Sequence, residues 1–396
     1  MILAALLLPV AVVAIVLLVE RLRLPVFLAI MATVLGYGLA ANMAFNSIGK
    51  SFGVGFVQSL DQVGLLVVAG ALATGLLAAE PLRLAWVAIA GAVAGLGASA
   101  AGGLALLQPV AVGAPRRAIG LVLTLLAVRA LVAPSPLAVA AAAVLKVDLR
   151  SMMMVTLPLA ALVAGAGWFY VSRLVPGGGP RGRLSVALVA IFLPLALLIV
   201  QSVAQMPSEP LGRGGEREFY LGFSSPLVLA ILVVALALLV TWRWPVPILA
   251  DTGWAPLLLA VGAAAGFGRV LDETGMADIL SEYALRPQLG LLAPFLAAAI
   301  VKTLQGNSLS AVLTASGMVE PLLPALGLDS ASGRALAAAA AGAGSIAICH
   351  VNDPFFWIAA HIARLTPSRA LVLVSGGSAV VALSALVLLF VVRTIV

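Results

Sequence analysis

Residues 2–19 carry no charged side chain, and runs of similar length, almost uncharged, return at 24–42, 61–79, 151–173, 184–206, 225–241, 252–271 and 370–392. A helix needs roughly 20 apolar residues to cross a hydrocarbon core of roughly 30 Å, so a chain segmented in this way is shaped by lipid. Composition closes the alternatives. Hydrophobic residues make up 63% of the chain and charged residues 9%, against about 25% charged in a soluble domain. Such a chain has too little polar surface to cover a core in water, which excludes a soluble enzyme, a nucleic-acid binder and a disordered protein. The formal charge of +7 comes from basic residues scattered singly between apolar runs, with no basic stripe for nucleic acid. A single cysteine, Cys349, rules out an internal disulfide and a cysteine metal site, and no cofactor is expected. The first run has no basic start and no small-residue cleavage pattern, so it reads as a spanning helix rather than a secretion signal.

Four further apolar stretches, 84–112, 118–145, 289–325 and 335–364, are interrupted by glycine, proline or polar residues. Read as two re-entrant hairpins (84–112 and 289–325) and two broken spanning helices (118–145 and 335–364), they sort the loops by charge. Loops 20–23, 113–117, 173–183 and 363–369 gather basic residues on one side, while 43–61, 207–218, 272–286 and 320–334 on the other are neutral or acidic. The positive-inside rule makes the first side cytoplasmic, with both termini outside.

That assignment sends the two hairpins in from opposite faces. The hairpin tips echo each other as Gly97-Ala98-Ser99 and Gly306-Asn307-Ser308, and the broken helices as Ala133-Pro134-Ser135-Pro136 and Val351-Asn352-Asp353-Pro354. Paired interrupted segments in two halves mark the inverted repeats of secondary transporters. The expected organisation is one all-α polytopic membrane domain over 1–396. It divides into a first repeat (1–175), the Gly/Pro-rich linker 176–183 and an inverted second repeat (184–396).

Polar groups at membrane depth cost about 2.5–3.5 kcal/mol each on insertion scales and so mark sites. Half-helices restarting near Ser99, Ser135, Ser308 and Asp353 would each present about half a positive charge at their N-termini, which suits a small organic anion. Candidate substrate-binding residues are Ser99, Arg129, Ser135, Gly306, Asn307, Ser308, Ser345 and Asn352. His350 and Asp353 are the candidates for proton coupling. Each has a plainer reading. Asp353 before Pro354 is a good helix N-cap, His350 could be a packed imidazole, Arg129 could bond backbone carbonyls, and Lys302 and Arg269 could snorkel to an interface. His361 and Met152–Met154 read as packing or interfacial groups.

The stretch GSIAICHVNDPFFW at 344–357 resembles the gluconate:proton symporter (GntP) family, whose members carry a Gly-Ser, then His-Val-Asn-Asp, then Phe-Trp. QGNSLSAVLTASG at 305–317 is similar to the family's hairpin, and 262–280 to the segment before it. The likeness is good over about 250–392 and fainter at 48–77. The family's acidic first hairpin tip is here Gly97-Ala98-Ser99-Ala100, and its first-break His-Gly is here Arg129-Ala130. The resemblance implies a secondary carrier of sugar acids or related carboxylates in the inner membrane, driven by protons, with a dimerising scaffold and a mobile transport domain. Rival readings are a sodium-coupled carrier of another carboxylate, a non-transporting homologue, a channel, and an intramembrane hydrolase using Ser345 or Ser308 with His350.

Overall fold

Apolar runs without internal polar partners satisfy their backbone only as helices, and helices are what the chain forms. The computed structural model describes residues 2–77, 84–111, 114–176, 187–242, 253–277, 283 and 285–395, and among these there is no strand. Of the 176–183 linker only Pro176 lies within the described residues, and the loops at 80–83 and 243–251 lie outside them.

The first half comprises α1 (Ile2–Glu20), α2 (Val26–Ala40) and α3 (Phe45–Leu76), then the pair α4 (Leu84–Leu96) and α5 (Ala100–Leu106) with a short turn of helix α6 (Gln108–Ala111). It ends with α7 (Pro115–Leu131), α8 (Pro136–Val144) and α9 (Leu149–Leu174). The second half comprises α10 (Ala187–Ala204), α11 (Gly215–Phe223), α12 (Pro226–Thr241) and α13 (Trp254–Asp272), then the hairpin α14 (Leu292–Gln305) and α15 (Ser308–Val319). Helices α16 (Ala331–Gly344), α17 (Pro354–Ile362) and α18 (Pro367–Arg393) complete it.

Five of these segments are long and apolar enough to cross a membrane: Phe45–Leu76, Pro115–Val144, Leu149–Leu174, Trp254–Asp272 and Pro367–Arg393. Pro115–Val144 is the central one, with 89% of its apolar window buried, whereas Leu149–Leu174 buries 33% and turns Leu157, Leu162 and Phe169 outward. Large apolar side chains facing out along whole helices suit lipid rather than water, and the protein is a multi-pass membrane protein.

All four expected interruptions are present, at 97–99, 132–135, 306–307 and 345–353. One expectation is overturned. Residues 43–61 do not form a loop; from Phe45 they are the first half of a 32-residue helix. The cause is packing. The segment is amphipathic, and it lays Phe52 and Phe56 against Gly266 and Gly262 of α13, where a Cβ on either glycine would come within 2.8 Å of a ring. Small residues on one helix let the other approach closely, which drives association where lipid supplies no hydrophobic force. A π turn at Leu60–Gly64 interrupts this helix.

The packing crosses between halves. Arm α15 of the second hairpin packs on α8 of the first broken helix, and arm α5 of the first hairpin packs on α17 of the second. Likewise α3 packs on α12, and α2 on α13. Outside the apolar layer, Lys146 just past α8 pairs with Glu320 just past α15 at 2.7 Å, and this hydrogen-bonded ammonium holds the Glu320 carboxyl below its usual range.

Candidate functional site

Each interruption restarts on a polar N-cap. Ser99 Oγ accepts from the Gly102 N–H at 3.0 Å and Ser135 Oγ from Ala138 at 3.3 Å. Asn307 Oδ1 accepts from Leu309 and Ser310 at 2.9 and 3.1 Å, and Asp353 Oδ1 from Phe355 at 2.8 Å. The capping role read for Asp353 is therefore real. Capping consumes acceptor oxygens and leaves donors over, so the Asn307 amide N–H groups remain available to an anion.

At each of the two hairpin tips the end of the first arm exposes carbonyls, and there a tethered cation meets them. Arg129 is 7% exposed and donates to Gly97 O at 2.8 Å and Ala98 O at 3.3 Å, joining the first broken helix to the first hairpin tip. Lys302 donates to Gly306 O at 2.9 Å and forms an ion pair with Asp353, whose Oδ2 also accepts from the Cys349 thiol at 3.1 Å. The snorkelling expectation for Lys302 is thus overturned. Its side chain is 2% exposed, because Asp353 and Gly306 give the ammonium inward partners that outweigh the interface. Arg269 is partly exposed and pairs with Asp272 at 2.7 Å and Glu273 at 3.2 Å.

Gly306 has φ +72°, and a Cβ there would lie 2.3 Å from Asn352 O. Only glycine fits this left-handed turn against the second break. The contact is reinforced by Asn352 Nδ2, which donates to Thr303 O and Leu304 O, each at 3.0 Å. His350 Nε2 lies 2.7 Å from Thr303 O. A carbonyl only accepts, so Nε2 carries the hydrogen and Nδ1 is the basic position of the neutral ring. That Nδ1 is buried without a hydrogen-bond partner among the described residues, as is Asn352 Oδ1.

These elements enclose a cavity of about 560 Å³. Ser99, Arg129, Gly306, Asn307, Ser308, Asn352 and Asp353, from both halves, line it. Ser135, Ser345 and His350 stand behind the wall. Ser135 donates to Arg129 O, Ser345 donates to Gly342 O at 2.7 Å, and His350 holds Thr303. Ser345 and His350 each bond a backbone carbonyl, and neither Ser345 nor Ser308 makes the hydrogen bond to His350 that a serine–histidine hydrolase needs.

Sequence reasoning missed Lys302 as Asp353's partner, the Arg269–Asp272 pair, and four cavity-lining glutamines, Gln58, Gln62, Gln201 and Gln205. The glutamines had a readable signal, since each pair is spaced i,i+4 at the edge of a long apolar run, at the start of 61–79 and at the end of 184–206. The charged groups on the cavity wall are Arg129, Arg269, Lys302, Asp272 and Asp353, leaving one net positive charge.

Four interrupted helical segments drawn from both halves of a polytopic protein thus surround one polar cavity, an arrangement of the kind secondary transporters use. The GntP family permease model matches residues 181–395, and the chain belongs to that family. It is 26% identical to a gluconate permease of Pseudomonas aeruginosa, over 88% of each chain. It is 27% identical to a low-affinity gluconate transporter of Escherichia coli, covering 89% of this chain and 90% of the relative. A gluconate permease of Bacillus subtilis is 23% identical over 87% of this chain and 89% of its own.

Proposed function

We propose that this protein carries gluconate or a closely similar sugar acid across the inner membrane by proton symport. The observation that carries the reading is the convergence of three capped half-helix N-termini, at Ser99, Asn307 and Asp353, on one cavity whose wall bears a single net positive charge. Helix N-termini favour anions, and one excess charge suits a monocarboxylate better than a dicarboxylate. In this reading the substrate carboxylate is held by Arg129, Ser99, Asn307 and Ser308, with Gly306 and Asn352 shaping the wall and Ser135 and Ser345 fixing the backbone behind it.

His350 and Asp353 form the coupling pair. Asp353 is committed as cap and ion-pair partner of Lys302, so the titrating position is His350 Nδ1. The contact pattern, in which each hairpin packs on the other half's broken helix, supports the division into inverted repeats 1–175 and 184–396 joined by the 176–183 linker. The same reading includes a transport domain that moves against a scaffold through which two copies dimerise.

The test is uptake of labelled gluconate by the purified protein in proteoliposomes. Accumulation driven by an inward proton gradient and abolished by a protonophore is expected. Absence of uptake, or dependence on sodium alone, would overturn the reading.

A further inference from the structure

We infer that Gln58, Gln62, Gln201 and Gln205 form a second subsite that reads the hydroxyl groups of the substrate, so that this cavity selects polyhydroxylated acids over plain carboxylic acids. The inference rests on the sugar-acid reading above and adds the residues that would enforce it.

All four side chains line the cavity, two from α3 and two from the end of α10. Their amides make no hydrogen bond among the described residues, in contrast to Gln305 on the same wall. Gln305 donates to Asp272 Oδ1 at 2.7 Å and accepts from Ser310 Oγ at 2.7 Å, so its amide is already used to brace the hairpin tip. A carboxamide offers two donors and one carbonyl acceptor, which matches a hydroxyl that both donates and accepts. Being neutral, it adds hydrogen bonds without altering the net charge that draws the carboxylate to Arg129. The cavity wall therefore offers the charged donor of Arg129 together with four amides that no protein group uses among the described residues. Gln62 lies within the π turn Leu60–Gly64, a distortion frequent at functional sites because it re-aims side chains.

The experiment measures inhibition of gluconate uptake in proteoliposomes by unlabelled gluconate and by hexanoate, which has the same carbon count and no hydroxyls. In the unmodified protein gluconate should inhibit far better. In Gln62→Met and Gln201→Met, which keep length and helix preference, the gluconate affinity should fall about three- to tenfold per amide while hexanoate inhibition stays constant. Gln62→Asn keeps the amide and should lose less than Gln62→Met. An unchanged gluconate-to-hexanoate ratio in variants that elute as the unmodified protein does would overturn the subsite, as would equal losses for Asn and Met, which would assign the effect to packing. If the unmodified protein takes up no gluconate, the transport reading falls and the subsite with it.

Discussion

The Lys302 ammonium lies between the Asp353 carboxylate and the Gly306 carbonyl, joining the tip of the second hairpin to the restart of the second broken helix. Removing one member of a buried ion pair strands the other and typically costs about 3–5 kcal/mol, whereas replacing both with neutral groups costs far less. Lys302→Met should therefore lower the unfolding midpoint sharply in detergent. The double variant Lys302→Met with Asp353→Asn, in which Asn still caps the helix, should recover most of the loss. Equal destabilisation of the single and double variants would mean that the pair does not hold the two breaks together.

Arg129 bridges two carbonyls of the first hairpin tip, Gly97 and Ala98. A planar guanidinium can do this and still point N–H groups into the cavity; an ammonium is a point donor. Arg129→Gln also removes the net positive charge from the cavity wall. Hydrogen bonds to charged groups are worth about 1.5–3 kcal/mol, so gluconate affinity should drop roughly 10- to 100-fold in Arg129→Gln. Arg129→Lys should fall between. Isothermal titration or concentration-dependent uptake would read this, and unaltered affinity in Arg129→Gln would move the carboxylate elsewhere.

The four breaks were legible in the sequence because lipid tolerates Gly-Ala-Ser, Pro-Ser-Pro, Gly-Asn-Ser and Asn-Asp-Pro clusters only where backbone lines a cavity or is buried in protein. The helical start of α3 was not, since Asn46, Ser47, Lys50 and Ser51 look like a loop until Phe52 and Phe56 find the glycines of α13. Nor was the Lys302–Asp353 pair. The partners are 51 residues apart, and no periodicity within one sequence connects them. Nearness to a break did not decide which site residues reached the cavity wall: Arg129 lines it from outside the breaks, while Ser135 and Ser345 within them bond nearby backbone carbonyls. A serine at a break has that local option, and Asn307, whose amide keeps donors after capping, does not exhaust itself in the same way.

The proposed inverted arrangement makes a topological prediction. Pro115, exposed at the start of α7, and Ala325, exposed after α15, should lie on opposite sides of the membrane. Single cysteines at these positions can be labelled without interference, because the native Cys349 is buried. Pro115→Cys should react with an impermeant maleimide only from the cytoplasmic side, and Ala325→Cys only from outside. Reaction of both from one side would remove the inverted repeat.

Ion coupling follows from what already occupies the hairpin tips. Carbonyls freed where half-helices end are the groups that coordinate sodium in transporters with broken helices. Here those of Gly97 and Ala98 hold the Arg129 guanidinium, and that of Gly306 holds the Lys302 ammonium. Two tethered cations thus stand where mobile ones would bind, and gluconate uptake should run equally well in sodium and in choline buffers. In the proposed reading the coupling burden then falls on the proton and on His350, whose Nδ1 is buried and unpartnered among the described residues while Nε2 is fixed on Thr303. His350→Gln can keep an N–H donor for that carbonyl but has no titrating nitrogen. It should retain gluconate exchange across symmetric membranes while losing accumulation driven by a proton gradient. Proton-driven accumulation at the unmodified level in His350→Gln would exclude the imidazole from coupling, and a strict sodium requirement in the unmodified protein would show that the two tethered cations do not fill that role.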